Sequence, residues 1–407
     1  MTDRRGAVEQ RTARLRLQRR LDTAVASLPE QPSTPTVVVD LDAFDANAVD
    51  LARRAGGTPI RVASKSIRVP GLLSRALAVP GFAGILGYSL REALWLAENG
   101  IADDIVLGYP TVDRDALRSL TASEAPVTLM VDDQAQLDLV DAVRASPRPI
   151  RVAIDIDAGL HLGPALVGPK RSPLYDAAQV LTLARDIVKS PGFELVGVMT
   201  YEGQVAGVPD DVPGQRARST VVRRLKAFSI QQLAARRAEI AEGLAEIARL
   251  EFWNAGGSGS IESSAADPTV TEVTAGSGLF VPGLFDHYRS FDPRPAAFFG
   301  LRVVRRPSSD CVTVAGGGQI ASGATGKDRS PVPWAPPGLH LTGLEGAGEV
   351  QTPLIGPGTA GLDIGDLVWF RHAKSGELME HVREVHLVRG SSVVDRVPTY
   401  RGTGNAW

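Results

Sequence analysis

Residues 82–107 read FAGILGYSLREALWLAENGIADDIVL. Two short apolar runs, Phe82–Leu86 and Asp104–Leu107, bracket a segment, Leu90–Asn99, in which Arg91, Glu92 and Glu98 share space with Ala93, Leu94, Trp95, Leu96 and Ala97. Gly100 follows as a helix stop. Strand, helix and strand at this spacing predict a right-handed βαβ unit and hence a parallel sheet. The apolar runs are nearly continuous, as strands covered on both faces should be.

The same pattern recurs on either side. Thr36–Asp40, Ile60–Ser64, Val127–Val131 and Ile150–Ile154 are further strand candidates at a near-constant pitch, and Glu194–Thr200 and Glu251–Asn254 follow at wider spacing. Between the last two lies a strongly helical insert, Arg218–Leu250. Eight strand candidates are enough to close a (β/α)8 barrel, although an open doubly wound sheet satisfies the same alternation. After about Pro282 the texture changes to Pro, Gly and short β-rich pieces: Ala297–Arg305, Cys311–Val314, Gly348–Gln351, Leu367–Arg371 and Val382–Val388. The expected organisation is α/β: an N-terminal helical extension over 1–33, a (β/α)8 TIM-type barrel over 34–290, and a C-terminal β domain over 291–407.

Composition narrows the function. The 407 residues are 43% hydrophobic and 22% charged, with a net charge of -2, so no global field points to nucleic acid or an anionic membrane. The basic stretch from Arg4 to Arg20, interleaved with Glu9, Leu15 and Leu17, reads as an amphipathic, exposed helix. No run of apolar residues is long enough to span a bilayer, and the first thirty residues lack a secretory apolar core. The single cysteine, Cys311, rules out an intrachain disulfide and a Cys-based zinc site. A cytoplasmic protein with a small-molecule partner is the expectation.

Lys65 lies at the end of a strand candidate, in Ile60-Arg-Val-Ala-Ser-Lys65-Ser-Ile, and the C-terminal strand ends of a barrel form its active-site face. Burial there disfavours the ammonium and frees an amine for Schiff-base chemistry; a solvated lysine just past a strand fits the position equally well. Asn254-Ala-Gly256-Gly257-Ser258-Gly259-Ser260 follows the last barrel-strand candidate, and Ala275-Gly276-Ser277-Gly278 comes soon after. Either run alone is an ordinary turn. Together with a strand-end lysine they fit a phosphate cradle for an aldehyde cofactor, because glycines admit an anion close to successive N–H groups.

Thr34-Pro-Thr-Val-Val-Val-Asp40-Leu-Asp with Ala46-Asn47, Arg61-Val-Ala-Ser-Lys65, Ser89-Leu-Arg-Glu92-Ala, Gly100-Ile-Ala-Asp-Asp-Ile and Gly197-Val-Met-Thr-Tyr201-Glu202-Gly together resemble the alanine racemase-type pyridoxal 5'-phosphate (PLP) enzymes. The details resemble most the branch containing D-threonine aldolase and D-serine dehydratase. The resemblance implies a barrel with a following β domain, usually paired as a homodimer. It implies Lys65 as the Schiff-base lysine, Gly256, Gly257 and Ser258 as the phosphate loop, Gly276 and Ser277 as the second phosphate turn, and Tyr201 as the side chain facing the cofactor. Gln204 is a further polar candidate, with a solvated loop glutamine as its rival.

Two places depart from the pattern. In Asp155-Ile-Asp157-Ala-Gly159-Leu-His161-Leu-Gly163 the spacing is one residue short, and His161 stands where an arginine that touches the cofactor is common. In Gly365-Asp366-Leu-Val-Trp-Phe-Arg371-His372-Ala-Lys374 relatives carry a His-x-Asp or His-x-Cys pair for a divalent metal. Here Lys374 replaces the second ligand, so no metal is expected and His372 alone is a weak candidate. His372 is instead expected to meet the substrate hydroxyl. The implied activity is a lyase acting on a D-configured β-hydroxy amino acid, by aldol cleavage or by dehydration and deamination. Racemization, with Tyr288 or Tyr400 as a second base, and a non-catalytic PLP-binding protein remain as alternatives.

Overall fold

The computed structural model describes residues 2–163, 165–290, 292 and 294–407, with side chains from residue 8 onward; the domain boundary placed at Phe291 and the side chains of Arg4 and Arg5 lie outside that set. In chain order the first eleven strands are β1 (Thr36–Asp40), β2 (Ile60–Ala63), β3 (Phe82–Gly87), β4 (Ile105–Leu107), β5 (Val127–Val131), β6 (Ile150–Asp155), β7 (Leu160–Leu162), β8 (Ala165–Val167), β9 (Phe193–Thr200), β10 (Phe252–Ala255) and β11 (Glu272–Ala275). Eight of them close a barrel in the order β10-β11-β2-β3-β4-β5-β6-β9, and every pairing in it is parallel. Its interior is filled by Val106, Met130, Ala153, Val196, Met199 and Phe252.

One strand placed in the barrel by sequence belongs elsewhere. β1 pairs antiparallel with Ala297–Ser308, Val37 opposite Phe299, and parallel with Glu384–Arg389, Val38 opposite His386. It is buried throughout, and a strand covered on both faces carries no mark of which sheet it will join. The barrel closes instead through β11, which apolar content alone does not reveal. Its Glu272 accepts from Arg61 Nε and Nη2 at 2.9 and 2.8 Å, and Asn254 Nδ2 donates to Glu272 and to Thr274 Oγ1 at 2.8 and 2.9 Å. Glu272 and Thr274 are buried, but their polarity is internally matched.

The second sheet has nine strands and is built on Ala297–Ser308, which pairs antiparallel with Cys311–Ala315 and Leu367–Arg371. The N-terminal helix, Thr2–Ala26, is not exposed along its whole length. Leu21, Ala24 and Val25 are buried against Val38, Phe298 and Trp369, and Trp369 Nε1 donates to Asp22 at 2.8 Å. The last turns of the helix therefore clamp the second sheet, while residues 8–13 are exposed as the sequence reading expects.

Local signals set the helices that space the barrel strands. Leu90–Glu98 starts at Ser89, whose hydroxyl accepts from Glu92 N at 3.2 Å, and stops at Gly100, which sits at φ 65°, where a Cβ is penalised. The long insert forms one helix, Arg216–Ala245.

Candidate active site

β2 ends in a single 3-10 turn, Ser64–Ser66, that turns Lys65 onto the C-terminal face of the barrel. Arg68 holds this turn from behind: its Nε donates to Lys65 O at 3.0 Å and its guanidinium pairs with Glu380 at 2.9 Å. Arg68 itself takes φ 55°, a region that non-glycine residues enter at a cost. Gly376 packs directly on the Lys65 carbonyl, leaving no space for a Cβ. The lysine is thus pinned between barrel and second sheet.

Lys65 Nζ donates to Tyr109 Oη, a contact between β2 and the end of β4. Burial of the Tyr109 phenol would raise its pKa, but the Lys65 charge and hydrogen bond outweigh it, and the net shift is downward. The neighbouring Lys65 charge thus favours the ionised form of the Tyr109 phenol.

The two glycine turns meet opposite Lys65. Gly256, at φ 82°, donates its N–H to Glu202 at 3.2 Å, and Gly257 N donates to Ser260 Oγ at 3.1 Å. Ser258 Oγ accepts from Gly278 N at 2.9 Å and from Gly276 N at 3.3 Å, tying the second turn to the first. Ser66 Oγ and Ser277 Oγ lie 3.2 Å apart, joining that turn to the lysine turn. A Cβ on Gly276 would lie 2.8 Å from Ala63 O, and one on Gly257 would lie 3.0 Å from Ala206 Cβ. Among the described residues, the backbone N–H groups of Ser258 and Ser277 donate to no protein acceptor. An open, N–H-lined cleft that side chains would fill fits a phosphate.

Glu202 organises this cleft. Its side chain is 2% exposed; it accepts from Ser260 Oγ at 2.8 Å and from Ser264 Oγ. It is neutralised by Arg237, whose Nη2 donates to Glu202 at 3.1 Å and to Thr200 O at 3.0 Å and whose Nη1 donates to Asp267 at 3.0 Å. Arg237 comes from the long helical insert.

Lys65, Tyr201, Gly256, Gly257, Ser258, Gly276 and Ser277 line one cavity of about 990 Å³, together with Lys374. Tyr201 lies against Gly257, whose Cβ would be 3.4 Å from its ring; burial pushes its phenol up to about 12 despite Arg171 nearby.

Three candidates lie elsewhere. His161 Nε2 is 2.9 Å from Asp157 and its ring stacks on Tyr175 at 3.7 Å, outside the cavity lining. The cation that enters instead is Arg171, 5.4 Å from the Tyr109 ring and 5.2 Å from the Tyr201 ring. The β7–β8 hairpin carries His161 away and brings Arg171 back, an exchange no linear spacing reveals. Gln204 is buried and donates to Ala158 O at 2.7 Å and Ser229 Oγ at 2.9 Å, a brace between loop and helix rather than a lining residue. His372 is buried with Nδ1 accepting from Lys374 N at 3.2 Å, and lines a separate small pocket with Phe280 and Met379.

Neither second-base candidate is poised for proton transfer. Tyr400 Oη donates to the buried Glu92 at 2.7 Å and does not line the cavity. Tyr288 does, but its Oη donates to Ala206 O at 3.0 Å and burial raises its pKa. Tyr109, Arg171, Arg237 and Arg68 were missed by sequence reasoning. Tyr109 follows a strand candidate in Leu107-Gly-Tyr109 just as Lys65 does, and strand-end position was the usable signal. At the end of β6, burial and the charge of Asp132 push the Asp155 carboxyl up to about 7.

A family model described as alanine racemase, N-terminal domain, matches residues 39–282. A D-threonine aldolase of Arthrobacter sp. is 29% identical over 343 residues, covering 82% of this chain and 83% of that protein. Among solved structures, the D-threonine aldolase from Filomicrobium marinum superposes with a TM-score of 0.77 at 22% identity, covering 91% of this chain and 95% of that one. The D-threo-3-hydroxyaspartate dehydratase from Delftia sp. HT23 does so with a TM-score of 0.68 at 21% identity, covering 92% and 98%. The likeness to these structures is one of fold.

Proposed function

The chain belongs to the alanine racemase N-terminal domain family, and from that premise we propose that it is a PLP-dependent lyase acting on a D-configured β-hydroxy amino acid. The observation that carries the proposal is a single cavity lined by Lys65 and by both glycine turns. The relatives named for D-threonine aldolase and D-threo-3-hydroxyaspartate dehydratase support the choice of substrate class.

The donor set fits PLP. Lys65 would hold the aldehyde carbon, the open backbone N–H groups of Ser258 and Ser277 would hold the phosphate, and Tyr201 would lie beside the ring. When bound, PLP supplies an electron sink for charge at the substrate Cα. The chain's own groups then select the outcome. Lys65 Nζ donates to Tyr109 Oη, so the pair is placed to pass a proton within the cavity. Arg171, flanked by two aromatic rings, offers a bidentate donor to a substrate carboxylate. Glu202 and Arg237 keep the phosphate turns in place.

Racemization needs a second base, and both tyrosines considered for it are engaged as donors. A cytoplasmic homodimer completes the proposal: the lone, free Cys311 suits a reducing compartment. Among the described residues no helix is long and apolar enough to cross a membrane.

The test is turnover. Purified protein incubated with D-serine, D-threonine and their L-enantiomers should release pyruvate with ammonia, or acetaldehyde with glycine, from D-substrates only. Formation of the opposite enantiomer without either set of products overturns the lyase assignment in favour of a racemase.

A further inference from the structure

The family resemblance implies a divalent metal beside the cofactor, and the residues present do not fit one. His372 directs Nδ1 at the backbone N–H of Lys374, 3.2 Å away, and is buried in the pocket of Phe280 and Met379. Among the described residues no group of three or more His, Cys, Asp or Glu could hold a metal ion. Position 374 carries an ammonium, which repels a cation rather than ligating it.

That ammonium is held in place. Lys374 Nζ donates to Ser322 Oγ at 2.6 Å and pairs with Glu377 Oε1 at 2.9 Å. Glu377 is fixed in turn by Ser322 N at 2.8 Å and Ser322 Oγ at 2.5 Å. The carboxylate that faces Lys374 is therefore already matched by an internal cation. The loop bearing Lys374 also touches both halves of the candidate site: Ser375 Oγ donates to Ser277 O at 3.3 Å, and Gly376 rests on the Lys65 carbonyl. Lys374 lines the same cavity as Lys65, with its side chain 44% exposed.

We propose that the Lys374 ammonium, braced by Glu377 and Ser322, is this site's built-in cation, that it faces the oxygen on the substrate Cβ and offsets negative charge developing there, and that the protein works without a divalent metal. This rests on the lyase assignment above. A fixed charge in place of an exchangeable ion makes activity indifferent to metal supply and tolerant of chelators. It also explains why His372 faces away: with no ion to share, its ring serves to cap the loop through Lys374 N.

Two independent readouts test the proposal on the PLP-loaded full chain. First, protein treated with EDTA and dialysed is titrated with Mn2+ and with Zn2+ by calorimetry, and untreated protein is analysed for metals. Far less than one ion per chain supports the proposal; one tightly held ion per chain overturns it, whether or not a substrate has been found. Second, kcat on the preferred D-β-hydroxy amino acid is measured with and without chelator and in two variants. Chelation should change kcat by less than about twofold, whereas loss on chelation and recovery with Mn2+ overturns the proposal and leaves the lyase assignment standing. Lys374→Met should lower kcat by about 100-fold or more, the scale for removing one charge-stabilising donor, with the visible imine band intact, and Lys374→Arg should recover part of it. Lys374→Met with near wild-type kcat overturns the role. Failure of every D-substrate refutes the lyase assignment instead, and the metal titration still decides the metal question.

Discussion

Replacing Arg237 by methionine tests whether the phosphate cleft is built by a buried charge cluster. Arg237, Glu202 and Asp267 have side chains 4%, 2% and 5% exposed. The guanidinium makes four hydrogen bonds, to Thr200 Oγ1, Thr200 O, Asp267 and Glu202, between 2.9 and 3.1 Å. Methionine keeps much of the volume but leaves two buried carboxylates without a counter-ion. Removing one partner of a buried pair costs about 3–5 kcal/mol. For a chain of this length the unfolding entropy is on the order of 0.85 kcal/mol/K, so the expected fall in Tm is about 4–6 °C. The effect should also reach the cofactor. Glu202 holds Gly256 N, Ser260 Oγ and Ser264 Oγ, and a carboxylate that gains a proton loses its acceptor role toward them. The PLP concentration for half-saturation of the apoprotein should therefore rise at least about tenfold, equivalent to about 1.4 kcal/mol. Differential scanning fluorimetry and a cofactor titration read the two effects, and adding Asp267→Asn should restore part of the lost Tm. A Tm within about 1 °C of wild type, with unchanged half-saturation, would refute the role given to the cluster.

Other expectations follow from the same geometry. In the apoprotein, the Tyr109 phenol should ionise below pH 10 by ultraviolet titration; Lys65→Met removes the main lowering influence, leaves burial opposed only by the Arg171 charge, and should move that step upward. Gly276→Ala places a Cβ 2.8 Å from Ala63 O and Ser66 Cβ, which should destabilise the apoprotein by about 1–3 kcal/mol and weaken PLP binding, both readable by thermal shift with and without PLP. Burial pushes the Asp22 carboxyl from 3.8 up to about 6 despite its bond from Trp369. The folded state thus binds more protons there than the unfolded chain, so the penalty is absent below about pH 4, grows through pH 4–6 and is complete above it. Asp22→Asn keeps an acceptor for Trp369 and should match wild-type Tm at pH 4 but exceed it at pH 7.5, by roughly 1–2 kcal/mol in stability after solvent screening. Equal Tm at both values counts against the buried charge.

The barrel was legible because parallel strands repeat an apolar run and a capped helix, and Leu90–Glu98 between β3 and β4 shows that repeat in full. What misled was sheet membership. β1 reads like its neighbours yet joins the second sheet, while β11 hides its role behind Glu272 and Thr274, whose polarity is cancelled by Arg61 and Asn254. The site was legible where chemistry sits at strand ends or in glycine turns, as with Lys65, Gly256–Ser258 and Gly276–Ser277. It was illegible where a side chain arrives from far along the chain: Arg171 by way of a hairpin, and Arg237 from a helix whose sequence advertises only helix. His161, His372 and Gln204 fit a local pattern, but His161 and His372 bond within their own loops and Gln204 braces a loop to the long helix. Lys374 was read from a departure at a single position, and its placement in the cavity is what gives that departure chemical meaning.

The most direct measurement concerns Lys65. Borohydride reduction of the PLP-loaded protein, followed by peptide mapping, should fix one pyridoxyl group on Lys65 and none elsewhere. Lys65→Ala should show neither the visible imine band nor the label. A label on another lysine, or an imine band that survives Lys65→Ala, would contradict the placement of the cofactor between β2 and the two glycine turns.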